Sequence, residues 1–144
     1  MRRPGGDDGT VLVLVLGMAA LLLVLVGVVV DVSVAVLAKR SAASAADGAA
    51  VSAAQALDQE AFYERGAGAG VPLSAGLVAE RVAMYEAAVG SGQPGLRLTS
   101  DVEAGVTAVV VAERTLDLPF SGLLGRGPVD MVAVARARAP LAAP

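Results

Sequence analysis

From Val11 to Val30 the chain reads VLVLVLGMAALLLVLVGVVV, 20 residues with no charged side chain. At about 1.5 Å per helical residue this run reaches about 30 Å, the hydrocarbon thickness of a bilayer. A buried helix of that length in a water-soluble domain would still carry a polar stripe, and this one has none. The first expectation is therefore a single transmembrane helix over residues 10–31, preceded by a short leader, residues 1–9. A secreted protein's cleavable signal is the main competitor. Its apolar region is normally about 7–15 residues and ends at a small-x-small site. Here the run is longer and Asp31 follows it directly. Small-residue sites do occur downstream, from Ala42 to Ala46.

Orientation follows from the flanking basic residues, since acidic ones carry little weight in the positive-inside bias. Arg2, Arg3 and the amino group precede the span, and Lys39 and Arg40 lie well beyond it. The balance favours a cytoplasmic N-terminus and an extracytoplasmic C-terminal domain in the cell membrane.

Nothing obvious stops the helix at Asp31. Between residues 32 and 65 there is no proline, the one glycine is Gly48, and strong helix formers dominate. Gly66 fits a helix C-cap, with Arg65 in the last turn. One helix from about Thr10 to Arg65 is expected, its second half, residues 32–65, projecting out of the membrane. That outer half carries Ala38, Ala42, Ala46, Ala50 and Ala54 at i, i+4 spacing, with Ala45, Ala49 and Ala53 beside them. Small residues four apart let another backbone approach closely. Two readings stand: packing against other subunits, or burial against the protein's own domain. Asp31 at the span boundary could pair with a neighbouring subunit or end the lipid-facing run by staying in water. Asp47 is either part of an assembly contact or a solvated polar position.

Residues 66–144 read as a small α/β domain. GAGAGVP is a joint, and Ser74 is a plausible N-cap for a short helix from Ala75 to about Val89. Leu77, Val78, Val82, Tyr85 and Val89 share one face of it. Strand patterns follow. Leu96, Leu98 and Val102 alternate with polar residues, Glu103-Ala104-Gly105 makes a hairpin turn, Val106 to Leu118 alternates again, and Met131 to Ala139 forms a third run. Short connections imply a three-stranded antiparallel β-meander. The fold class is α+β: a long N-terminal transmembrane helix continuing outward, a second short helix and the meander. Two readings stand for Glu103, Glu113, Arg136 and Arg138: pairing across the solvent face, or, the stronger of the two, charges that keep the sheet soluble.

Composition narrows the function. The chain of 144 residues has no cysteine and no histidine, which removes thiolate chemistry, disulfides and the commonest general base and metal ligand. A net charge of −3 argues against nucleic acid. The single lysine, Lys39, is two residues from Ser41, and residues so spaced do not face each other on a helix. Asp58, Glu60 and Glu64 cluster but read best as a solvated surface. GAGAG lacks the strand-to-helix context of a nucleotide loop. No catalytic residue, metal ligand or cofactor site is expected, and the protein reads as a non-enzyme.

The stretch from Gly9 through Leu57 resembles the N-terminal region of the TadE/TadG-like Flp pilus-assembly proteins. The residues that carry the likeness are Asp8-Gly9-Thr10, Val30-Asp31, Lys39-Arg40 and Ala45-Ala46-Asp47-Gly48-Ala49-Ala50. The valine-rich strands, the FSGLLGRGPV loop and the closing ARARAP are similar to short members of that family. The resemblance implies a pseudopilin-like minor subunit of a tight-adherence, type IVc-like pilus or related secretion system. Its implied partners are the lipid bilayer, other pilus or secretion-system membrane proteins, and further copies of itself. Prepilins carry a cleavage glycine with glutamate five residues later. Gly6 and Gly9 are followed at that distance by Val11 and Leu14, so the resemblance implies an uncleaved membrane component. Asp31, Ala38, Ala42, Ala46, Asp47, Ala50 and Ala54 are the expected assembly contacts. The alternative from the residues alone is a single-pass membrane-anchored binding or sensor module that uses the open face of the sheet. A membrane-bound hydrolase using carboxylates is a third.

Overall fold

The computed structural model describes residues 7–57 and 72–139. Helix α1 runs from Asp7 to Ala53 without interruption. Helix α2 covers Ala75–Gly90. Three strands follow, β1 (Leu96–Glu103), β2 (Thr107–Leu116) and β3 (Val129–Arg138), with a short 3-10 turn at Ser121–Leu124 between the last two. The sheet order is β1-β2-β3 and both pairings are antiparallel. The architecture is the expected α+β arrangement.

The end of α1 differs from expectation. The helix stops at Ala53, not at Arg65. Its last bonds tighten from Ala54 N–H to Ala50 C=O into Gln55 to Ser52 and Ala56 to Ala53. Leu57 then bridges Leu73, and the Ser74 N–H donates to the Ala56 carbonyl at 3.2 Å. The returning chain supplies the backbone partners that would otherwise continue the helix, so tertiary pairing overrides good helix propensity. The expected C-cap at Gly66, the acidic cluster Asp58, Glu60 and Glu64, and most of the GAGAGVP joint lie outside the described residues.

Helix α2 starts where its sequence places it. Ser74 is extended (φ −84°, ψ 117°) and its carbonyl accepts from the Val78 N–H at 2.9 Å, although its hydroxyl makes no capping bond. Val78 and Val82 are fully buried, Tyr85 and Val89 partly so, and Leu77 faces outward. The β1–β2 turn places both Ala104 (φ 54°) and Gly105 (φ 72°) in the left-handed region. Glycine adopts it freely, and alanine does so against its Cβ.

Both helices pack on the sheet and on each other. The inward positions of β2 are Ala108, Val110 and Ala112, all fully buried. They meet Ala42, Ala45, Ala46, Ala49, Ala50 and Ala53 of α1 in one core with Val78 and Val82. The side chains at this seam are small, so helix and sheet approach closely, and burial yields less transfer free energy per residue than a leucine core would. Strand β3 runs alongside the second half of α1. Val129 at its start lines a hollow with Val28 and Asp31. At its far end the Ala139 N–H donates to Val106, beside the β1–β2 turn, whose Gly105 carbonyl accepts from Leu73. The strand's 10 residues rise about 33 Å, and Asp31 to Ala53 rises about 33 Å as helix. The β2–β3 loop therefore lies at the Asp31 end, and the β1–β2 turn lies at the Ala53 end.

Candidate functional site

The first half of α1 makes almost no contact with the rest of the chain. Of its most apolar 18-residue window, 6% is buried. Leu12, Leu14, Leu16, Leu21 and Leu23 are each at least two-thirds exposed. A core helix of a soluble domain would be covered, so this segment has the length, composition and exposure of a membrane-crossing helix.

The expected contact residues on the second half separate into two faces. Ala38, Ala42, Ala46, Ala50 and Ala54 are all buried within the chain, as are Ala45, Ala49 and Ala53. The sheet and α2 cover this seam. Asp47 lies on the opposite, exposed face with Arg40, Ser44 and Val51. Gly48 sits on the covered side, where the Tyr85 ring of α2 lies over its backbone. A Cβ at residue 48 would collide with the Tyr85 hydroxyl and come within 2.7 Å of its Cζ. The motif's glycine thus lets the Tyr85 ring lie close against the helix backbone.

Asp31 is buried, with 8% exposure. Its Oδ1 accepts the Phe120 N–H at 2.9 Å. One turn earlier on the same helix, Gly27 faces the Phe120 ring, and a Cβ there would approach the ring carbons at 3.2–3.3 Å. Gly27 and Asp31 are four apart, which places them on one face. Together they hold the β2–β3 loop against the boundary of the apolar run. Nothing in the local sequence marks Phe120 as the partner, since 89 residues separate it from Asp31. The one sequence signal was the rarity of phenylalanine, of which the chain has two.

The edge of the sheet has a comparable device. The Leu98 N–H of β1 donates to Glu86 Oε2 of α2 at 2.8 Å. An edge strand exposes unpaired backbone donors, and this side chain satisfies one of them. On the outward face, Arg136 and Glu103 form one exposed pair at 3.5 Å. Val132 and Val134 are about half exposed there, beside the partly exposed Val109 and Val111. Among the described residues, no group of three or more acidic, histidine or cysteine side chains is placed to hold a metal ion.

These features define a class: an α+β domain carried on one long N-terminal helix whose first half can cross a membrane. Residues 9–56 match the family model described as “Putative Flp pilus-assembly TadE/G-like”. The match covers a third of the chain, the apolar run and the alanine seam, and coincides with the stretch singled out above by its residues. No curated protein and no solved structure matches the chain.

Proposed function

We propose that the protein is a non-enzymatic, single-pass membrane subunit of an Flp-type pilus-assembly or related secretion machine. The observation that carries this reading is the family match over residues 9–56, which falls on a helix whose apolar half is left bare by its own domain. In this reading the N-terminus is cytoplasmic and the sheet is held outside. The pseudopilin-like role is to pack against other subunits through α1.

The covered alanine seam leaves two surfaces for that packing. One is the apolar half, which meets other membrane helices by close van der Waals contact in lipid. The other is the outward stripe of Arg40, Ser44, Asp47 and Val51. The seam's own part in assembly is then indirect: it fixes the domain to the helix, so that the stripe is presented in one orientation. Asp31 acts likewise, by holding the loop.

The chain has no native cysteine, so single cysteines report cleanly. In cells that make the whole machine, cysteine at Ser44 or Asp47 should crosslink to other machine proteins or to a second copy, and cysteine at Ala46 should not. An alkaline carbonate wash should leave the full-length protein in the membrane pellet. Release into the supernatant would end the anchor reading, and the absence of crosslinks at Ser44, at Asp47 and along the apolar half would end the assembly reading.

A second reading has its own support. The exposed Val132 and Val134 form an apolar strip on the open sheet face, which suits a membrane-anchored binding module. Crosslinks from that strip alone would favour it.

A further inference from the structure

We propose that the β2–β3 loop is a second membrane contact, in which Phe120 and its neighbours enter the headgroup–acyl boundary of the leaflet on the domain's side. This inference rests on the reading of Val11–Val30 as the bilayer span.

The depth follows from the helix. Phe120 lies against Gly27, three residues inside the end of the apolar run at Val30, or about 4.5 Å below it. Interfacial segments bury their apolar face about 5–10 Å at this boundary. A bilayer that covers Val11–Val30 therefore also reaches Phe120. The loop cannot stand clear of lipid without leaving Gly27 and breaking the hydrogen bond to Asp31.

The loop's composition suits that depth. Phe120 is 38% exposed and Val129 39% exposed, although both are large and apolar. Pro119 and Pro128 are also exposed, and proline carries no backbone N–H to desolvate. Arg126 is exposed and lines the hollow shared by Val28, Asp31, Leu118 and Val129. An exposed guanidinium at this depth suits the phosphate layer, with its stem along the apolar part of the hollow.

Irregular backbone is tolerated at membrane depth only where its polar groups are satisfied by protein. This loop meets that condition at the points closest to α1. The Phe120 N–H is taken by Asp31, and the Ser121 hydroxyl donates to the Leu118 carbonyl at 3.0 Å. The Gly125 N–H donates to Gly122, and the Arg126 N–H donates to Ser121. Ser121 is itself buried.

The chain contains no tryptophan, so a single introduced one reports its own depth. The test uses the full chain in phosphatidylcholine vesicles, with lipids brominated either near the headgroup or near the acyl chain ends. Phe120→Trp should emit at shorter wavelength than tryptophan in water and lose most of its emission to the shallow bromines. Val129→Trp is a second reporter on the same side and should behave the same way, which guards against local misfolding at residue 120. Leu21→Trp, in mid-span, should be quenched by the deep bromines. Glu103→Trp, at the far end of the sheet, should be quenched by neither. If Leu21→Trp is quenched and both loop variants are not, the loop contact is wrong and the anchor stands. If Leu21→Trp is also unquenched, the anchor reading itself fails. Quenching of Glu103→Trp as strong as that of Phe120→Trp would overturn the loop as a distinct contact.

Discussion

The carboxylate of Asp31 accepts the backbone N–H of Phe120 at 2.9 Å, across 89 residues of sequence. This bond ties the last turn of the apolar run to the loop between β2 and β3. Asp31→Ala leaves a part-buried donor without a partner, a loss of about 1–3 kcal/mol. Amide hydrogen exchange at Phe120 should accelerate, and protease cutting in the loop should rise. Asp31→Asn keeps an acceptor oxygen and should restore most of the protection. Equal exchange in wild type and Asp31→Ala would show that the bond does not hold the loop.

The contact between Gly48 and Tyr85 is steric. Gly48→Ala drives a methyl group into the Tyr85 ring, and overpacking of this kind costs about 1–3 kcal/mol. Tyr85→Leu removes the obstructing ring. Thermal unfolding in detergent should show Gly48→Ala strongly destabilised alone and nearly neutral in the Tyr85→Leu background. Additive effects would place the cost elsewhere.

Alanine is required on one face of α1 and optional on the other. Ala49 is fully buried against the sheet. Ala49→Leu should lower stability by about 1–3 kcal/mol, whereas Ser44→Leu on the exposed face should shift it by less than about 0.5 kcal/mol. Chemical denaturation of the two variants side by side would decide this, and equal losses would contradict the buried seam.

At the β1–β2 turn, Ala104 holds φ 54°. Left-handed backbone costs a non-glycine residue about 1–2 kcal/mol, partly offset by the greater chain entropy that glycine loses on folding. Ala104→Gly should therefore stabilise by roughly 0.5 kcal/mol. A drop in melting temperature would show that the turn's alanine makes a contact worth more than the strain.

The ion pair of Arg136 with Glu103 is a contrast. Both side chains are more than half exposed and the pair is 3.5 Å long. Solvent screening holds such pairs to less than about 1 kcal/mol, so Glu103→Ala should change the denaturation midpoint little, and high salt should remove even that difference. A large salt-independent loss would show that Glu103 has another role.

Most elements were legible because they obey local rules. The uncharged run Val11–Val30, the Ser74 start of α2, the alternation in β1 and β2 and the glycine at the hairpin each report on their own few residues. The identity of what fills each face was not local. Small residues at four-residue spacing allow a close approach by anything, and only the fold shows that β2, β3 and α2 take that place on Ala42 to Ala53. The stop at Ala53 was illegible for the same reason: no breaker marks it, and the cause is the backbone of Leu73 and Ser74 arriving from elsewhere. The partnership of Asp31 and Gly27 with Phe120 needs the whole β-meander to bring them together. The N-terminal resemblance was readable from its residues and was matched over the same stretch, whereas the valine-rich strands, the FSGLLGRGPV loop and the closing ARARAP lie outside that match.

The seam of alanines between α1 and the sheet has a mechanical consequence. Helix and sheet meet through short side chains with few rotamers, clamped at one end by Asp31 and at the other by the Leu57–Leu73 bridge. Such a joint has little play. The azimuth of the sheet is thereby set relative to the faces of the oily segment, so the two halves of the rod cannot be turned independently without opening the seam.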